Sequence, residues 1–254
     1  METLKTQESE NFQEKNNFDD TQTEFSDRCQ YLYVYGIISL KDLKAQKPKI
    51  SKSKKSELKE DFLGPNFNGL REKSITIMPY KDIGVLVSKY PLLNPILDEK
   101  EAMKHADILN KIAKKTTIIP VAFGCVFNDE KILESILKKS YNAIKETLEQ
   151  IKNKIELGVK VIKNNVEENG IENEDNTFVE ILNPLNKLSV KSIQGENFSE
   201  RLLLNYSFLV EKNNFSKFSN AIAKSEKEYK QFKFNYTGPW PPYSFVNLHI
   251  RGQK

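Results

Sequence analysis

Two histidines and two cysteines are the side chains of this sequence best suited to acid–base, nucleophilic or metal chemistry. His105 lies in a stretch with helical spacing, and the residues three and four positions on are Ile108 and Leu109, which can neither bind a metal nor relay a proton. General acid–base catalysis needs a partner within reach and a tuned pKa. We therefore predict that His105 is a structural, hydrogen-bonding histidine, and that His249 is exposed near the C-terminus.

Sequence motifs for other chemistries are missing as well. The cysteine and histidine spacings of zinc sites and the acidic loop of calcium sites do not occur. The ten glycines are scattered singly, so no familiar phosphate-binding loop is formed. The sequence predicts no catalytic, metal-binding or cofactor-binding residues, and hence a protein that is not an enzyme.

The cysteines and the hydropathy pattern indicate a cellular compartment. Cys29 and Cys125 are 96 positions apart, and a chain without export features is not expected to join them in a disulfide. Cys125 fits a small buried apolar residue within a strand. No apolar run approaches the roughly 20 residues of a membrane helix, and residues 1–28 lack the apolar core of a secretory signal. We expect a cytoplasmic protein with no membrane span.

Charge is unevenly distributed, although the net charge is only +4. Residues 1–28 contain eight acidic and three basic side chains, and we interpret them as a disordered acidic tail. Residues 41–60 contain eight lysines, which favours a solvated loop. The alternative is a nucleic-acid-binding or small-molecule-binding module that uses this lysine-rich segment. The segment has neither arginine nor interleaved aromatic residues, so we do not expect nucleic acid as a partner.

Periodicity and turn signals predict the elements of the first half of the chain. They are strands at 31–38, 75–78, 83–87 and 117–127, with one helix from Asp98, in capping-box spacing with Glu101, to about Lys115. This order is that of a ferredoxin-like domain whose first helix is shortened or replaced. We place that domain at residues 29–127, with residues 41–60 as a lysine-rich insertion.

The second half repeats this alternation of helices and strands. We predict a helix from 129 to 153, strands at 155–161, 202–210 and 232–236, a helix that carries Phe215, Phe218 and Ile222, and a loop at 164–175. The fold class is α+β, with two packed domains. The N-terminal domain is ferredoxin-like, and the C-terminal α+β domain, residues 128–254, is a modified ferredoxin-like unit that ends in an extended segment.

That extended segment, residues 237–245, combines the only tryptophan with three of the ten prolines. Proline removes backbone donors, so we predict that the segment leaves the sheet and runs as stiff, extended chain. Two interpretations remain open: the aromatic residues clasp the two domains together, or they form a rigid edge that receives an apolar partner. The candidate residues are Phe123, Phe127, Pro239, Trp240, Pro242, Tyr243 and Phe245.

Phe123 and Phe127 belong to an apolar strand that Pro120 and Gly124 interrupt. Proline cannot donate to a ladder and glycine permits close backbone approach, so the strand is expected to bulge or to cross between domains there. Phe123 and Phe127 would then fill the domain boundary, with direct partner contact as the alternative.

Several blocks together resemble the GvpF/GvpL family of gas vesicle accessory proteins. They are Tyr31–Ile37, His105–Leu109, Ile119–Phe127, Glu156–Val161 and the segment 237–245, in the order in which that family carries them. The sequence departs from the family at Ala122, where arginine is usual, and after Lys163, where many members carry a further helix.

The resemblance implies a non-enzymatic role in gas vesicle assembly. It implies that the chain binds the small, hydrophobic shell subunit before or during its polymerisation, with other gas vesicle accessory proteins as further partners. Such a role requires an apolar docking surface on a charged exterior, and it needs no catalytic group. The expected location is the cytoplasm, in association with gas vesicles.

Overall fold

The computed structural model describes residues 31–46, 62–64, 67–93, 98–164 and 174–248. The helices are α1 (Leu40–Gln46), α2 (Glu99–Ala113), α3 (Glu130–Gln150), α4 (Glu174–Leu188) and α5 (Phe215–Glu228). The strands are β1 (Tyr31–Ser39), β2 (Thr76–Tyr80), β3 (Ile83–Tyr90), β4 (Ile118–Pro120), β5 (Val126–Phe127), β6 (Lys154–Lys163), β7 (Lys191–Gln194), β8 (Leu202–Glu211) and β9 (Phe232–Trp240). Short 3-10 turns lie at Leu70–Glu72, Lys212–Asn214 and Tyr243–Phe245.

The first sheet has the ferredoxin-like strand order. Its strands run β2-β3-β1-β4, with β5 also paired to β1, and the pairings are antiparallel. The predicted hairpin is confirmed, because β2 and β3 pair around a two-residue turn at Lys81 and Asp82. The helix predicted from Asp98 is confirmed as α2, and the Asp98 carboxylate caps it by accepting from the Lys100 N–H at 2.9 Å.

Helices cover both faces of this first sheet. One core lies between the sheet and α2 and is built around Tyr33, Tyr35 and Leu109. The other lies between the sheet and α3, where Leu133, Leu137 and other apolar residues of the helix are fully buried. By packing, therefore, α3 belongs with the first sheet, although the predicted domain boundary precedes it.

The second sheet repeats the topology of the first. Its order is β7-β8-β6-β9, again antiparallel, with α4 between β6 and β7 and α5 between β8 and β9. A single core, built around Phe208, Phe218 and Ile181, fills the space between the sheet and these two helices. The α+β class with two ferredoxin-like units is confirmed, and the second unit has the complete βαββαβ order.

The strand predicted at 117–127 is two short strands, β4 and β5. Val121 N donates to Tyr35 O and Val34 N donates to Cys125 O, so the ladder along β1 continues on both sides of the break. Residues 122–124 leave it as a bulge, as Pro120 and Gly124 led us to expect. Gly124 has φ +88°, a backbone conformation that suits glycine.

Helix α4 corrects the expectation that the chain lacks a further helix after Lys163. Of the loop predicted at 164–175, residues 165–173 lie outside the described part of the chain, and the last two residues belong to the helix. The helix begins at Glu174, and its apolar residues Phe178, Ile181, Leu182 and Leu185 face the second core. Their spacing of three and four residues is visible in the sequence. Pro184 lies within this helix, although proline is usually excluded from helix interiors.

Strand β9 corrects the prediction that residues 237–245 leave the sheet at once. The ladder continues through Gly238 and Pro239 to Trp240, which is opposite Glu156 on β6. The Gly238–Pro239 peptide bond is cis. Because β9 pairs only with β6, it is an edge strand, and an edge strand tolerates proline since its outer side needs no donor.

Some expectations fall outside the described residues. These are the disordered tail at 1–28, most of the lysine-rich segment, Cys29 and His249. Cys125 is described, and it is buried in the core beneath α3. Among the described helices, none combines the length and the apolar character needed to cross a membrane.

Candidate partner-binding site between the domains

A pocket of about 300 Å³ lies where the two domains meet. The end of α2 supplies one wall, and the other domain supplies residues from β6, β9 and the start of α5. The lining residues are Asn110, Ala113, Lys114, Ile155, Lys212, Phe215, Pro239 and Trp240. Its apolar surface comes from Ile155, Phe215 and the proline–tryptophan pair, and both of its charged residues are lysines. We call it the interdomain pocket.

Trp240 reaches the pocket because β9 bulges just before it. Three steps along β9, from Thr237 to Trp240, match only two along β6, from Gly158 to Glu156. An extra residue on one strand of a pair bends that strand and re-aims its side chains. The Trp240 side chain is 41% exposed, a large fraction for the only tryptophan. Exposed aromatic residues beside an apolar pocket are typical of partner contacts.

The chain after Trp240 crosses the second sheet as a C-terminal strap, residues 241–248. Pro241 and Pro242 are buried. The carboxylate of Glu156, itself only 7% exposed, accepts from Ser244 N at 2.8 Å and from Ser244 Oγ at 2.6 Å. Two charge-assisted hydrogen bonds to one buried carboxylate fix the strap on the sheet.

The strap then returns to the first domain. Val246 and Leu248 pack against the core between the first sheet and α3. The strap therefore joins the two domains, as the clasp interpretation requires, while Trp240 stays half open at the pocket beside it. The contacts with the first domain come from Val246 and Leu248, just beyond the segment 237–245.

Lys212 makes a second connection between the domains. Its ammonium donates to the carbonyl oxygen of Ala113 at 3.1 Å, at the C-terminus of α2. A cation is favourable there because the last carbonyls of a helix lack intrahelical partners. Partial burial lowers the pKa of the Lys212 side chain.

Asn110 adds an unused hydrogen-bond acceptor to the pocket lining. Its Oδ1 is buried and has no hydrogen-bond partner within the described part of the chain. A buried polar atom left unpaired costs free energy that a suitable donor would recover. A ligand segment with an N–H group at this point would supply one.

Phe123 is not among the lining residues of this pocket and lies over a buried polar network of the first domain. Its ring is 5.8 Å from the ring of His105, which is 2% exposed. His105 Nε2 lies 3.0 Å from Val121 O, and Nδ1 lies 2.9 Å from the Tyr33 hydroxyl. A carbonyl oxygen only accepts, so Nε2 carries the proton and Nδ1 accepts from Tyr33. His105 is thus a structural residue that holds the 122–124 bulge against α2.

Burial lowers the pKa of His105 to about 4, from an ordinary value near 6.5. A group whose folded pKa is depressed contributes stability above its unfolded pKa and loses it as pH falls toward the folded value. We expect the free energy of unfolding to fall by roughly 3 kcal/mol through this histidine between about pH 6.5 and pH 4. Urea unfolding of wild type and His105→Gln at several pH values measures it.

His105→Gln is the control for the pH dependence of wild-type stability. Its pH dependence in the same window should be flatter, because the glutamine side chain does not titrate there. Equal slopes in the two proteins would contradict the assignment of the pH dependence to His105.

The other candidate residues lie in three different surroundings. Phe127 is fully buried in the core beneath α3, and so it lies inside the first domain and not at its boundary. Tyr243 is 40% exposed on the strap, where burial of its hydroxyl raises its pKa to about 12. Phe245 is half-buried nearby. Only Pro239 and Trp240 of the candidates line the pocket.

Sequence reasoning missed three residues of this site: Glu156, Asn110 and Lys212. Glu156 alternates with the apolar residues of its predicted strand, on the same side as Lys160, and this pattern indicates an exposed side chain. Asn110 and Lys212 carry no signal, because their roles arise only when the two domains meet. Across the described residues, histidine, cysteine and acidic side chains nowhere gather in groups of three or more that could hold a metal ion.

Two ferredoxin-like units joined by a strap, with an apolar pocket at their boundary, define a tandem α+β protein. Solved structures share this fold. GvpF from Anabaena sp. superposes with a TM-score of 0.69 at 15% identity, covering 89% of this chain and 99% of that chain. GvpF from Microcystis aeruginosa gives 0.68 at 14% identity, covering 86% of this chain and 99% of that chain.

Sequence comparison gives the family. Gas vesicle protein F1 of Halobacterium salinarum is 26% identical over 234 residues, 88% of this chain and 96% of that relative. Gas vesicle protein F of Haloferax mediterranei is 29% identical over 223 residues, 86% and 94% of the two chains. The model of the gas vesicle synthesis protein GvpL/GvpF family matches residues 31–178 and 162–247. The chain belongs to this family, and membership supports an accessory role in gas vesicle formation.

Proposed function

We propose that this chain is a non-enzymatic assembly factor that binds the hydrophobic shell subunit of gas vesicles through the interdomain pocket. The observation that carries the proposal is the half-exposed Trp240 beside Pro239, Ile155 and Phe215 at the domain boundary. Tryptophan in a pocket is a typical anchor of protein–protein contacts. The prolines and the ladder to β6 hold it in place before binding, which lowers the entropic cost of association.

The remaining features of the chain agree with such a role. The exterior is strongly charged, with 29% charged residues, which keeps a complex with an apolar subunit in solution. Family membership makes gas vesicle proteins the natural partners, with the shell protein first and other accessory proteins next. We place this action in the cytoplasm, at the forming gas vesicle.

Replacing Trp240 by alanine is expected to weaken binding of the monomeric shell subunit by at least about tenfold, since tryptophan anchors typically contribute 2 kcal/mol or more. Isothermal titration calorimetry of the soluble subunit with wild type and variant measures this effect. Phe198→Ala is the matched control, because Phe198 is 80% exposed and lies outside the pocket.

Thermal unfolding of the Trp240→Ala variant separates the two roles of the segment. A stable protein that loses the subunit supports docking at Trp240. A variant that unfolds or aggregates shows that Trp240 itself is part of the clasp. The proposal as a whole is wrong if wild type shows no association with the subunit by pull-down or calorimetry and vesicles still form after deletion of this chain.

A further inference from the structure

We infer that the interdomain pocket recognises a partner segment in which a large apolar residue is next to an aspartate or glutamate. The apolar side chain lies against the second domain, and the carboxylate binds the two lysines at the end of α2. The inference rests on the proposed function only in taking this pocket as the docking site, and it adds the charge that the docked segment carries.

The pocket has an apolar side and a cationic side. The apolar side comes from the second domain and consists of Ile155, Phe215, Pro239 and Trp240. The cationic side lies at the end of α2, where Lys114 is the residue that follows the helix. Lys212 reaches across from the second domain and donates to Ala113 O at 3.1 Å. A ligand that fills the pocket is therefore apolar on one side and polar on the other.

The two lysines of the pocket have no anionic partner within the described residues. Neither Lys114 nor Lys212 forms an ion pair there, and none of the lining residues is acidic. Glu211, which directly precedes Lys212, pairs instead with Lys154 at 3.4 Å. The Lys212 ammonium uses one N–H group on Ala113 O, which leaves two for an anion. The charge of the pocket thus matches a carboxylate.

A purely apolar occupant fits this pocket less well. It would take water away from both ammonium groups without supplying a counter-charge, which is costly. Partial burial already lowers the pKa of Lys212, so this ammonium is partly desolvated before any ligand binds. An apolar group would also leave the buried Oδ1 of Asn110 unpaired. A carboxylate removes the first cost, and a backbone N–H group of the same segment removes the second.

The spacing of the two ligand groups follows from the size and the walls of the pocket. Its volume of about 300 Å³ is at the small end of the range for ligand pockets, so it suits one large side chain with its neighbouring backbone. In an extended segment, adjacent side chains point to opposite sides. An apolar residue and the acidic residue next to it can therefore face the second domain and the end of α2 at the same time.

Trp240 reports on binding directly, because it is the only tryptophan and lines the pocket. The probes are two blocked peptides of the same shape, acetyl-Ala-Leu-Asp-Ala-amide and acetyl-Ala-Leu-Asn-Ala-amide. We expect the aspartate peptide to change the emission of Trp240 in the full-length chain at about five- to tenfold lower concentration, through two partly exposed ion pairs. Salt near 0.5 M should reduce this preference to about twofold, since salt screens such pairs.

Lys114→Gln should reduce the preference for the aspartate peptide to about two- to threefold, because one of the two ion pairs is lost. Lys111→Gln is the matched control. Lys111 is an exposed lysine in the last turn of the same helix, and it does not line the pocket. Its replacement should leave the preference at the wild-type value.

Two results would overturn the inference. One is an equal response of wild type to both peptides, including no response to either at up to roughly 5 mM, where even a weak complex forms. The other is an equal preference in wild type and Lys114→Gln, or an equal loss in Lys111→Gln. The assay contains no shell subunit. A preference for the aspartate peptide without association of the subunit would therefore contradict the proposed function alone, and the reverse would contradict this inference alone.

Discussion

Phe127→Ala is expected to destabilise the protein by about 3–5 kcal/mol, the range for removing a fully buried phenylalanine ring. Phe127 is 0% exposed, on β5 opposite Leu32, and it belongs to the core between the first sheet and α3. Removing its ring leaves a cavity that the sheet and the helix, which are both held by other contacts, cannot fill completely. Urea unfolding at constant pH measures the loss.

Phe198→Ala gives the comparison for the same change of side chain at an 80% exposed position, where an effect within about 0.5 kcal/mol is expected. Equal loss in both variants would contradict the core assignment. Phe127→Ala also tests direct partner contact, the alternative that the sequence analysis left open for this residue. If its subunit binding falls only in proportion to the unfolded fraction, Phe127 acts through the fold and not through contact.

Local patterns in the sequence were sufficient to predict most of the helices and strands and their order. Apolar residues alternate with polar ones in β6 and recur at helical spacing in α2 and α5, and each of these elements buries one face. Sequence periodicity indicates this kind of one-sided burial. The order of these elements, with two short paired strands in the first half, led to the ferredoxin-like topology. The strand order β2-β3-β1-β4 bears this out.

Two of the differences from the structure involve proline, which is tolerated or excluded according to its surroundings. Pro184 is tolerated in α4 because Phe178, Ile181 and Leu185 bury the helix against the second sheet, and packing outweighs a local penalty. Pro239 is tolerated in β9 because an edge strand has an unpaired side. Neither the packing nor the edge position can be read from the local sequence.

Only part of the candidate site could be predicted from the sequence. Composition singled out Trp240, since an isolated tryptophan among prolines is improbable by chance. The pocket itself was not predictable, because Asn110 and Lys212 are about a hundred positions apart and meet only through the relative placement of the two domains. Glu156 is linked to that placement, since its carboxylate accepts two hydrogen bonds from the strap that returns to the first domain.

Gly238→Ala is expected to destabilise the protein by about 2–4 kcal/mol and to shift the fluorescence emission of Trp240. Gly238 has φ +111°, which L side chains rarely adopt. A Cβ there would also lie 2.8 Å from the backbone oxygen of Glu156, which cannot move without disturbing the β6 ladder. The bulge that aims Trp240 would have to rearrange. Urea unfolding and Trp240 emission, recorded on the same samples, measure both effects.

Gly124→Ala isolates the backbone contribution to this loss. Gly124 has φ +88°, but an added Cβ would meet nothing within 4 Å, so only the conformational penalty of about 1–2 kcal/mol applies. The Gly238 variant should lose more stability than the Gly124 variant, and it alone should shift the emission of Trp240. If the two variants lose the same stability and Trp240 emission stays unchanged in both, the close approach of β9 to Glu156 does not position the tryptophan. Gly238 lies at the register shift between β6 and β9, two residues before Trp240, so its close packing on Glu156 links the register of β9 to the position of the tryptophan.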